Sequence, residues 1–277
     1  MNPADQEPGA PPGVDLEHPS VARVYDYYLG GTANWAIDRE FGKKVLATFP
    51  LARPIAKTNR LFLHRVVRHL VRQGVRQFVD IGSGLPTVGN THEVVQKVIP
   101  GAHVVYVDND PMVELHSRAL LDTGGTISVI CADLREPDSI LNHQELRKLI
   151  DLDEPIGMLM TGVMMFVSDP SDPWGLVSAY VDALAPGSYL SLSHLTDDYK
   201  PPAAAEGFRA VFDTATEHMY FRSKAKVERF FGSLELVPPY QGAEPVVTFT
   251  GLWGAEDVEL ADSEGSRWLY CGVARKP

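Results

Sequence analysis

Hydrophobic residues follow one spacing before Gly74 and a different spacing after it. Between Pro19 and Leu70, apolar residues recur at helical intervals, with basic residues on the remaining face. This part of the chain therefore predicts two or three helices. After Gly74, short apolar runs alternate with helix-length segments, which is the pattern of a parallel sheet with crossover helices.

Five of the short apolar runs predict parallel strands. They are Gln77–Ile81, His103–Val107, Ile127–Cys131, Ile156–Met160 and Tyr189–Ser193. Segments 91–98 and 111–121 lie between them, carry helix-spaced apolar residues and are long enough to cross over. In the last third, residues 203–219 and 224–231 predict helices. Residues 234–237, 246–249 and 268–274 predict closing strands, which we expect to pair antiparallel.

These elements predict an α/β fold in which a mostly parallel, Rossmann-like sheet is flanked by helices. Residues 1–17 are rich in proline and glycine and hold few large apolar groups, so we expect a flexible N-terminal arm. Residues 18–74 form the predicted helical cap, and residues 75–277 form the predicted sheet domain.

The charge balance narrows the classes of partner. The chain has 25 basic and 36 acidic residues, and its net charge of −11 repels phosphate backbones and anionic lipids. A nucleic-acid substrate is therefore disfavoured. The longest nearly apolar run, Gly157–Val167, is too short to span a bilayer. The acidic, proline-rich start lacks the pattern of a signal peptide, so we expect a cytoplasmic protein with no membrane contact.

Sulfur-containing residues predict core packing. Cys131 and Cys271 each lie in an apolar run, where we expect a small buried hydrophobe rather than a disulfide or a metal ligand. The methionines at positions 158, 160, 164 and 165 have no neighbouring cysteine or histidine that would complete a soft metal site. We therefore predict no bound metal.

Candidate chemistry begins at the end of the first predicted strand. Asp80 is followed by Gly82, Ser83 and Gly84, and glycines at this spacing let the backbone turn sharply and present N–H groups to a ligand. Such a turn is typical of nucleotide-binding sites. A dinucleotide fingerprint would require glycine or alanine three positions after Gly84, where Thr87 stands instead. Taken alone, the glycines are equally compatible with a tight turn.

The second and third predicted strands also end in acids. Asp108 follows Asp80 by 28 residues (108 − 80), and Asp133 follows Asp108 by 25 (133 − 108). Because the carboxyl ends of parallel strands meet at one sheet edge, Asp108 can accept hydrogen bonds from ribose hydroxyls and Asp133 from an adenine amino group. The alternative is that these aspartates only cap the helices that follow the strands.

The glycine turn and the three acids resemble the class I S-adenosylmethionine-dependent methyltransferases. A closer resemblance, to the uncharacterised actinobacterial S-adenosyl methyltransferase family, extends over almost the entire chain after the arm. It rests on the segments Ala22–Gly31, Asp80–Thr87, Asn90–Glu93, Val107–Pro111 and Tyr270–Pro277. The resemblance implies S-adenosyl-L-methionine as cofactor, a sheet of seven strands and a catalytic role for residues 75–277.

The same resemblance implies the residues that contact the cofactor. Gly82 and Gly84 would flank its methionine part, Asp108 would hold the ribose and Asp133 would meet the adenine. Further contacts are expected from neighbouring positions: Asp80, Ser83, Asn109, Leu134 and Gly162. The acceptor is unknown, and we expect a small molecule in the crevice at the strand carboxyl ends.

One departure from the family affects catalysis. The chain has Met165 after the fourth strand, where we expect relatives to carry a histidine, so a general base is missing there. Residues 162–167 also lack the motif of amino-group methylases that act on DNA bases. His194, after the fifth strand, is a candidate base, or it only binds a loop carbonyl. Tyr25 is a second catalytic candidate, because an aromatic face attracts a sulfonium, or it packs with Tyr28.

Two basic side chains are further candidates for the cofactor's carboxylate. Arg60 begins a basic helix and would otherwise lie on a solvated face. His92 either touches the ligand or orients Asn90 and Glu93. Two other functions stay open at this point. A regulatory protein could bind the cofactor without turnover, and a nicotinamide-dependent oxidoreductase would share the glycine turn but leave Asp133 unexplained.

Overall fold

Three helices form the N-terminal part, in agreement with the predicted two or three. The computed structural model describes residues 14–85, 89–112, 124–212 and 217–277. The helices are α1 (Val21–Leu29), α2 (Ala36–Thr48) and α3 (Ala52–Arg72). The Ser20 side chain accepts from the Arg23 backbone at the start of α1, and Gly30 ends this helix in the left-handed region at a φ of 86°. Most of the predicted flexible arm lies outside the described residues.

All five predicted parallel strands are confirmed. They are β1 (Gln77–Ile81), β2 (His103–Asp108), β3 (Ile127–Cys131), β4 (Ile156–Thr161) and β5 (Tyr189–Leu195). Three of them run one or two residues further than predicted, because pairing with the neighbouring strand continues past the predicted end. Asp108 still pairs with Cys131, Thr161 with Ser193, and Leu195 with Leu269.

The closing strands pair antiparallel, as expected. They are β6 (Glu235–Leu236), β7 (Thr248–Phe249) and β8 (Leu269–Arg275). The strand order is β3-β2-β1-β4-β5-β8-β6, and β7 also pairs with β8. The described part of the sheet thus has eight strands where seven were expected, and the two-residue strands β6 and β7 both lie against β8.

Further helices lie between the strands along the chain. They are α4 (Thr91–Gln96), α5 (Pro137–Leu141), α6 (Gln144–Leu149), α7 (Pro173–Asp182), α8 (Pro202–Phe212), α9 (Lys224–Glu228) and α10 (Val258–Ala261). The predicted helix 203–219 is too long at its C-terminal end, because residues 217–219 are not helical. Directly after α9, the chain forms a 3₁₀ helix at Arg229–Phe231. Most of the predicted helix 111–121 lies outside the described residues.

The sheet is buried on both faces, as its continuous apolar strands require. Phe78 of β1 packs on one face with Phe62 and Leu70 of α3. Val79 and Ile81 pack on the other face, with residues of α5, α6 and α7. A third cluster joins α1, α2 and the start of α3 to the ends of β5 and β8. The helical cap therefore shares a hydrophobic core with the sheet.

Cys131 corrects one prediction. Cys271 is buried as expected, but Cys131 is exposed. The reason is its position: it is the last residue of β3, which lies at the end of the strand order and, within the described part of the chain, pairs only with β2. The methionines at 158, 160 and 164 belong to the core beneath the sheet. Within the described ranges, no helix has the length and apolar character needed to cross a bilayer.

Candidate cofactor and acceptor site

A cavity of about 350 Å³ lies at the carboxyl ends of the parallel strands, between them and helices α1 and α3. One side of it follows the ends of β1, β2 and β3, and we call this side the polar half. The predicted site residues in its lining are Gly82, Ser83, Gly84, Asp108, Asn109, Asp133 and Leu134. Gly162, Tyr25 and Arg60 also line the cavity. Asp80, His92 and His194 do not.

The glycine turn after β1 requires glycine at two positions for different reasons. Gly82 and Gly84 both have a φ of 65°, in the left-handed region. A Cβ atom on Gly82 would also lie 2.1 Å from Cγ2 of Val163, whereas one on Gly84 would have no atom of a described residue within 4 Å. The turn therefore brings the backbone against the loop after β4, which no larger residue would allow.

The glycine turn is hydrogen-bonded to the acid at the end of β2. The Gly84 N–H donates to Asp108 Oδ2 at 2.8 Å, and the Asp110 N–H donates to Oδ1 at 3.1 Å. Burial raises the pKa of Asp108 to about 6, against the opposing effect of these backbone hydrogen bonds. A carboxylate has about four lone-pair sites, so Asp108 keeps capacity to accept a hydrogen bond from a ligand.

Asp133 and Asp80 have protein partners that the sequence did not suggest. Asp133 forms a bidentate pair with Arg135, whose Nε lies 2.9 Å from Oδ1 and whose Nη2 lies 2.7 Å from Oδ2. Asp80 lies behind the glycine turn, where Thr91 Oγ1 donates to its Oδ2 at 2.7 Å. Burial raises the pKa of Asp80 to about 6, and the charge of Arg60 opposes that effect. Asp80 is thus placed to support the turn rather than to contact a ligand in the cavity.

Arg60 faces the cavity with an unsatisfied donor. Its guanidinium lies 5.7 Å from the centre of the Tyr25 ring. Its Nε is buried and has no hydrogen-bond partner among the residues that the structure describes. A buried donor without a partner is costly, so this group favours an anionic or polar ligand at that point.

A polar group missed in the sequence lies between the two sides of the cavity. Asn59 Nδ2 donates to the Tyr25 hydroxyl at 3.3 Å, and Asn59 Oδ1 accepts from Ser193 Oγ at 2.6 Å. The Tyr25 hydroxyl donates to the Ala56 carbonyl at 3.0 Å. One signal was available: Asn59 is a polar residue on the apolar face of α3, in register with Ala56 and Phe62.

The two candidate histidines lie away from the cavity. His194 Nδ1 is 2.8 Å from the Leu195 carbonyl, and its Nε2 is 2.5 Å from Arg222 Nη1. Burial, together with the charge of Arg222, lowers the pKa of His194 to about 3. This placement favours the alternative that His194 only binds a backbone carbonyl, although the carbonyl is that of Leu195, the last residue of β5, rather than one in a loop. His92 Nδ1 lies 2.8 Å from the Tyr106 hydroxyl, a partner that neither role considered for His92 included.

A buried charged cluster joins helix α1 to the loop after β2. We call it the Arg23 cluster; its members are Ser20, Arg23, Asp38 and Asp110. Arg23 Nε donates to Asp38 Oδ2 at 2.8 Å, and its Nη1 lies 3.8 Å from Asp110 Oδ2. Ser20 Oγ donates to Asp110. The Asp110 N–H in turn donates to Asp108. Two successive hydrogen bonds, from Ser20 to Asp110 and from Asp110 to Asp108, therefore connect the cap to the polar half.

The opposite side of the cavity is hydrophobic, and we call it the apolar half. It comes from α1, α3, the loop after β4, the ends of β5 and β8, and the segment around α8. Its lining residues are Tyr28, Ala52, Ile55, Met165, Leu195, Phe208, Met219 and Leu269. All eight belong to the cluster that joins the cap to the sheet. The polar half and the apolar half thus meet near Asn59 and Tyr25.

Comparisons with known proteins identify the family to which this chain belongs. The family model described as S-adenosyl methyltransferase matches residues 7–277. The chain is 41% identical to a candidate methyltransferase from Thermobifida fusca YX, whose crystal structure superposes with a TM-score of 0.86 over 96% of this chain and 98% of that one. It is 35% identical to a DUF574 family protein from Streptomyces avermitilis MA-4680, with a TM-score of 0.87 and coverage of 95% and 99%. No curated protein matches the chain.

The family match favours one of the functions left open by the sequence. It covers the cap and the sheet together, and it replaces both the nicotinamide-dependent and the non-enzymatic interpretation. The chain therefore belongs to the S-adenosyl methyltransferase family and is a class I, S-adenosylmethionine-dependent methyltransferase.

Proposed function

We propose that the polar half binds S-adenosylmethionine and that the enzyme transfers the methyl group to a small molecule held in the same cavity. The observation that carries this proposal is the glycine turn hydrogen-bonded to Asp108 at the cavity wall. Asp108 accepts from the ribose hydroxyls, and Asn109 lies beside it. Asp133 and the Leu134 backbone recognise the adenine.

Arg60 supports the assignment of the methionine end. Its buried Nε has no partner among the described residues, and the carboxylate of the cofactor would supply one. Gly82, Gly84 and Gly162 all have positive φ values and line the cavity, so the backbone can approach the ligand there. The residues present therefore fit the cofactor.

S-adenosylmethionine supplies a methyl group on a positively charged sulfur. A lone pair of the acceptor forms the new bond to the methyl carbon, the carbon–sulfur bond breaks with its electron pair going to sulfur, and any acceptor proton leaves to solvent. The enzyme contributes mainly by holding the two groups in line at attack distance. We assign this positioning to Tyr25 and Asn59, because their hydrogen-bonded side chains stand where the two halves meet.

Calorimetric titration tests the cofactor assignment. We expect S-adenosylmethionine and S-adenosylhomocysteine to bind and a nicotinamide dinucleotide not to bind. Asp108→Ala removes an acceptor of hydrogen bonds to the ribose, which we expect to cost about 1–3 kcal/mol of S-adenosylhomocysteine affinity. Asp153→Ala, an exposed acid in the loop before β4, is the matched control. Equal affinities for both variants would remove Asp108 from the site.

A labelling experiment tests the acceptor class. The enzyme is incubated with methyl-labelled S-adenosylmethionine and a cell extract separated by size into small molecules and macromolecules. We expect label to enter the small-molecule fraction. Transfer confined to protein or nucleic acid would contradict a small-molecule acceptor.

A further inference from the structure

Among the residues that the structure describes, those that line the apolar half include no charged side chain that could pair with a charged acceptor. Two charged residues of the cavity lining come nearest to it along the chain, Glu217 and Arg60. Glu217 Oε1 lies 4.0 Å from Arg135 Nη2, on the polar side, and Arg60 faces Tyr25. Arg53 is outside the cavity lining, with its guanidinium 5.5 Å from the Tyr27 ring centre. A charge buried against this wall would lack a counter-ion among the described residues that line it.

Aromatic and thioether groups of this wall make favourable contacts with rings. Phe208 packs edge-on against Phe49 with ring centres 4.7 Å apart, so its position in the wall is held from behind. Met165 and Met219 stand on the same wall, and thioethers adapt to irregular apolar surfaces and contact aromatic rings favourably. The wall thus provides contacts for a planar, hydrophobic body.

Tyr28, a residue of this wall, carries a hydroxyl group that no described residue uses. Its side chain lines the cavity, and the residue is only 5% exposed. Its hydroxyl is buried and has no hydrogen-bond partner among the described residues. A buried hydroxyl is ordinarily paired, because an unpaired one forfeits its hydrogen bond to water.

We propose that the apolar half accepts an uncharged, ring-containing molecule as the methyl acceptor and that the Tyr28 hydroxyl hydrogen-bonds a polar substituent on it. This inference rests on the proposed function, since the cofactor must occupy the polar half. In the sequence, Tyr28 follows Tyr25 by three residues, a spacing that favours packing on a shared helix face. In the structure Tyr28 both packs and lines the cavity, which makes it a determinant of acceptor specificity.

Three probes of one shape test the inference by fluorescence titration of the enzyme loaded with S-adenosylhomocysteine. 2-Naphthol is uncharged and polar at neutral pH, 2-naphthoate is an anion, and 2-methylnaphthalene has no hydrogen-bonding group. We expect 2-naphthol to bind at least about tenfold more tightly than 2-naphthoate, because the anion would be buried without a partner. Equal or tighter binding of 2-naphthoate would overturn the proposed acceptor class.

Tyr28→Phe tests the hydroxyl while keeping the ring. We expect it to weaken 2-naphthol binding about threefold to tenfold and to leave 2-methylnaphthalene binding unchanged. Unchanged 2-naphthol affinity, or equal loss for both probes, would overturn the role of the hydroxyl. S-adenosylhomocysteine affinity, measured on the same variant, confirms that the site is folded.

Met219→Lys tests whether the lack of a positive charge in the apolar half excludes an anionic acceptor. Met219 is half-buried, so a lysine stem can follow the methionine path and bring an ammonium group to the wall. We expect the binding preference of this variant to shift from 2-naphthol to 2-naphthoate. Met219→Gln, whose side chain is of similar length and uncharged, is the control and should leave the preference unaltered.

Failure of all three probes to bind to enzyme that still binds S-adenosylhomocysteine would overturn this inference alone. Failure of S-adenosylhomocysteine to bind would instead refute the proposed function beneath it.

Discussion

The polar half and the apolar half of the cavity are built in different ways. The polar half comes from three consecutive strand ends, β1, β2 and β3, which lie side by side in the sheet. The apolar half comes from segments far apart in the chain, from Tyr28 to Leu269. A site built from strand ends can be recognised from short motifs, whereas a site built by packing depends on which distant segments meet.

The two halves also differ in how their residues are held. Backbone hydrogen bonds hold Asp108 in place. The residues of the apolar half are positioned by hydrophobic contacts within one cluster. We therefore expect substitutions in the polar half to act on cofactor affinity and those in the apolar half to act on acceptor choice. Four changes probe the polar half and its connection to the cap, in order of decreasing effect.

Removing the charge of Arg23 should have the largest effect, because the Arg23 cluster joins the cap to the polar half. Arg23→Met leaves buried Asp38 and Asp110 without their cation, and removing one partner of a buried pair typically costs about 3–5 kcal/mol. Chemical denaturation measures this loss. Arg72→Met, at an exposed position near the end of α3, should change stability by less than about 0.5 kcal/mol. Similar losses in both variants would show that the cluster contributes little.

Gly82→Ala should have the next largest effect and Gly84→Ala a smaller one. Both require alanine at positive φ, which costs about 1–2 kcal/mol. Only the Gly82 variant also forces a Cβ against Val163, and such overpacking adds about 1–3 kcal/mol. Thermal and chemical unfolding of the two variants isolate the contact with Val163. An equal loss of stability would mean that this contact relaxes without cost.

The affinity for S-adenosylhomocysteine should depend on pH near 6. Asp108 has a pKa of about 6, so it loses its charge as the pH falls through that value. The protonated carboxyl has one fewer oxygen free to accept, so we expect weaker binding below pH 6 and constant binding well above it. Calorimetry from pH 5 to pH 8 measures the profile.

Two variants identify the group that titrates. Asp108→Asn should remove the pH dependence, and Asp80→Asn should keep it, although Asp80 also has a pKa of about 6. Persistence of the profile in Asp108→Asn would assign it to another group.

Tyr25→Phe should have the smallest effect on stability. It removes the hydrogen bond to the Ala56 carbonyl and the one from Asn59, so we expect a loss of about 1 kcal/mol in the free energy of unfolding. The ring remains, and cofactor affinity should hardly change. Tyr199→Phe, at a position that is 93% exposed, is the control and should be neutral. A marked loss of cofactor affinity in Tyr25→Phe would place its hydroxyl in the polar half.

Predictions based on local pattern were the accurate ones. The five parallel strands have the predicted N-terminal residues and end within two residues of the predicted positions. Their apolar runs are buried on both sheet faces, and the strand ends bring the glycine turn and two of the three acids to one cavity. The third acid, Asp80, turns behind the loop because its carboxylate bonds Thr91.

Predictions about single side chains depended on neighbours that the sequence could not identify. His194 pairs with Arg222, 28 positions later in the chain. Cys131 is exposed because no strand lies outside β3 in the described sheet. Asn59 bonds Ser193, 134 positions away, and thereby stands where the two halves of the cavity meet. None of these partners is visible in local spacing.

The amino-acid sequence by itself determined the α/β class, the strand positions, the glycine turn and the acids that follow the strands. These features depend on periodic burial and on backbone sterics, which act over a few residues. Only the tertiary structure decided that His92 and His194 lie away from the cavity, how the cap joins the polar half and which residues line the apolar half. Those outcomes depend on contacts between distant segments, and such contacts form only when the whole core packs.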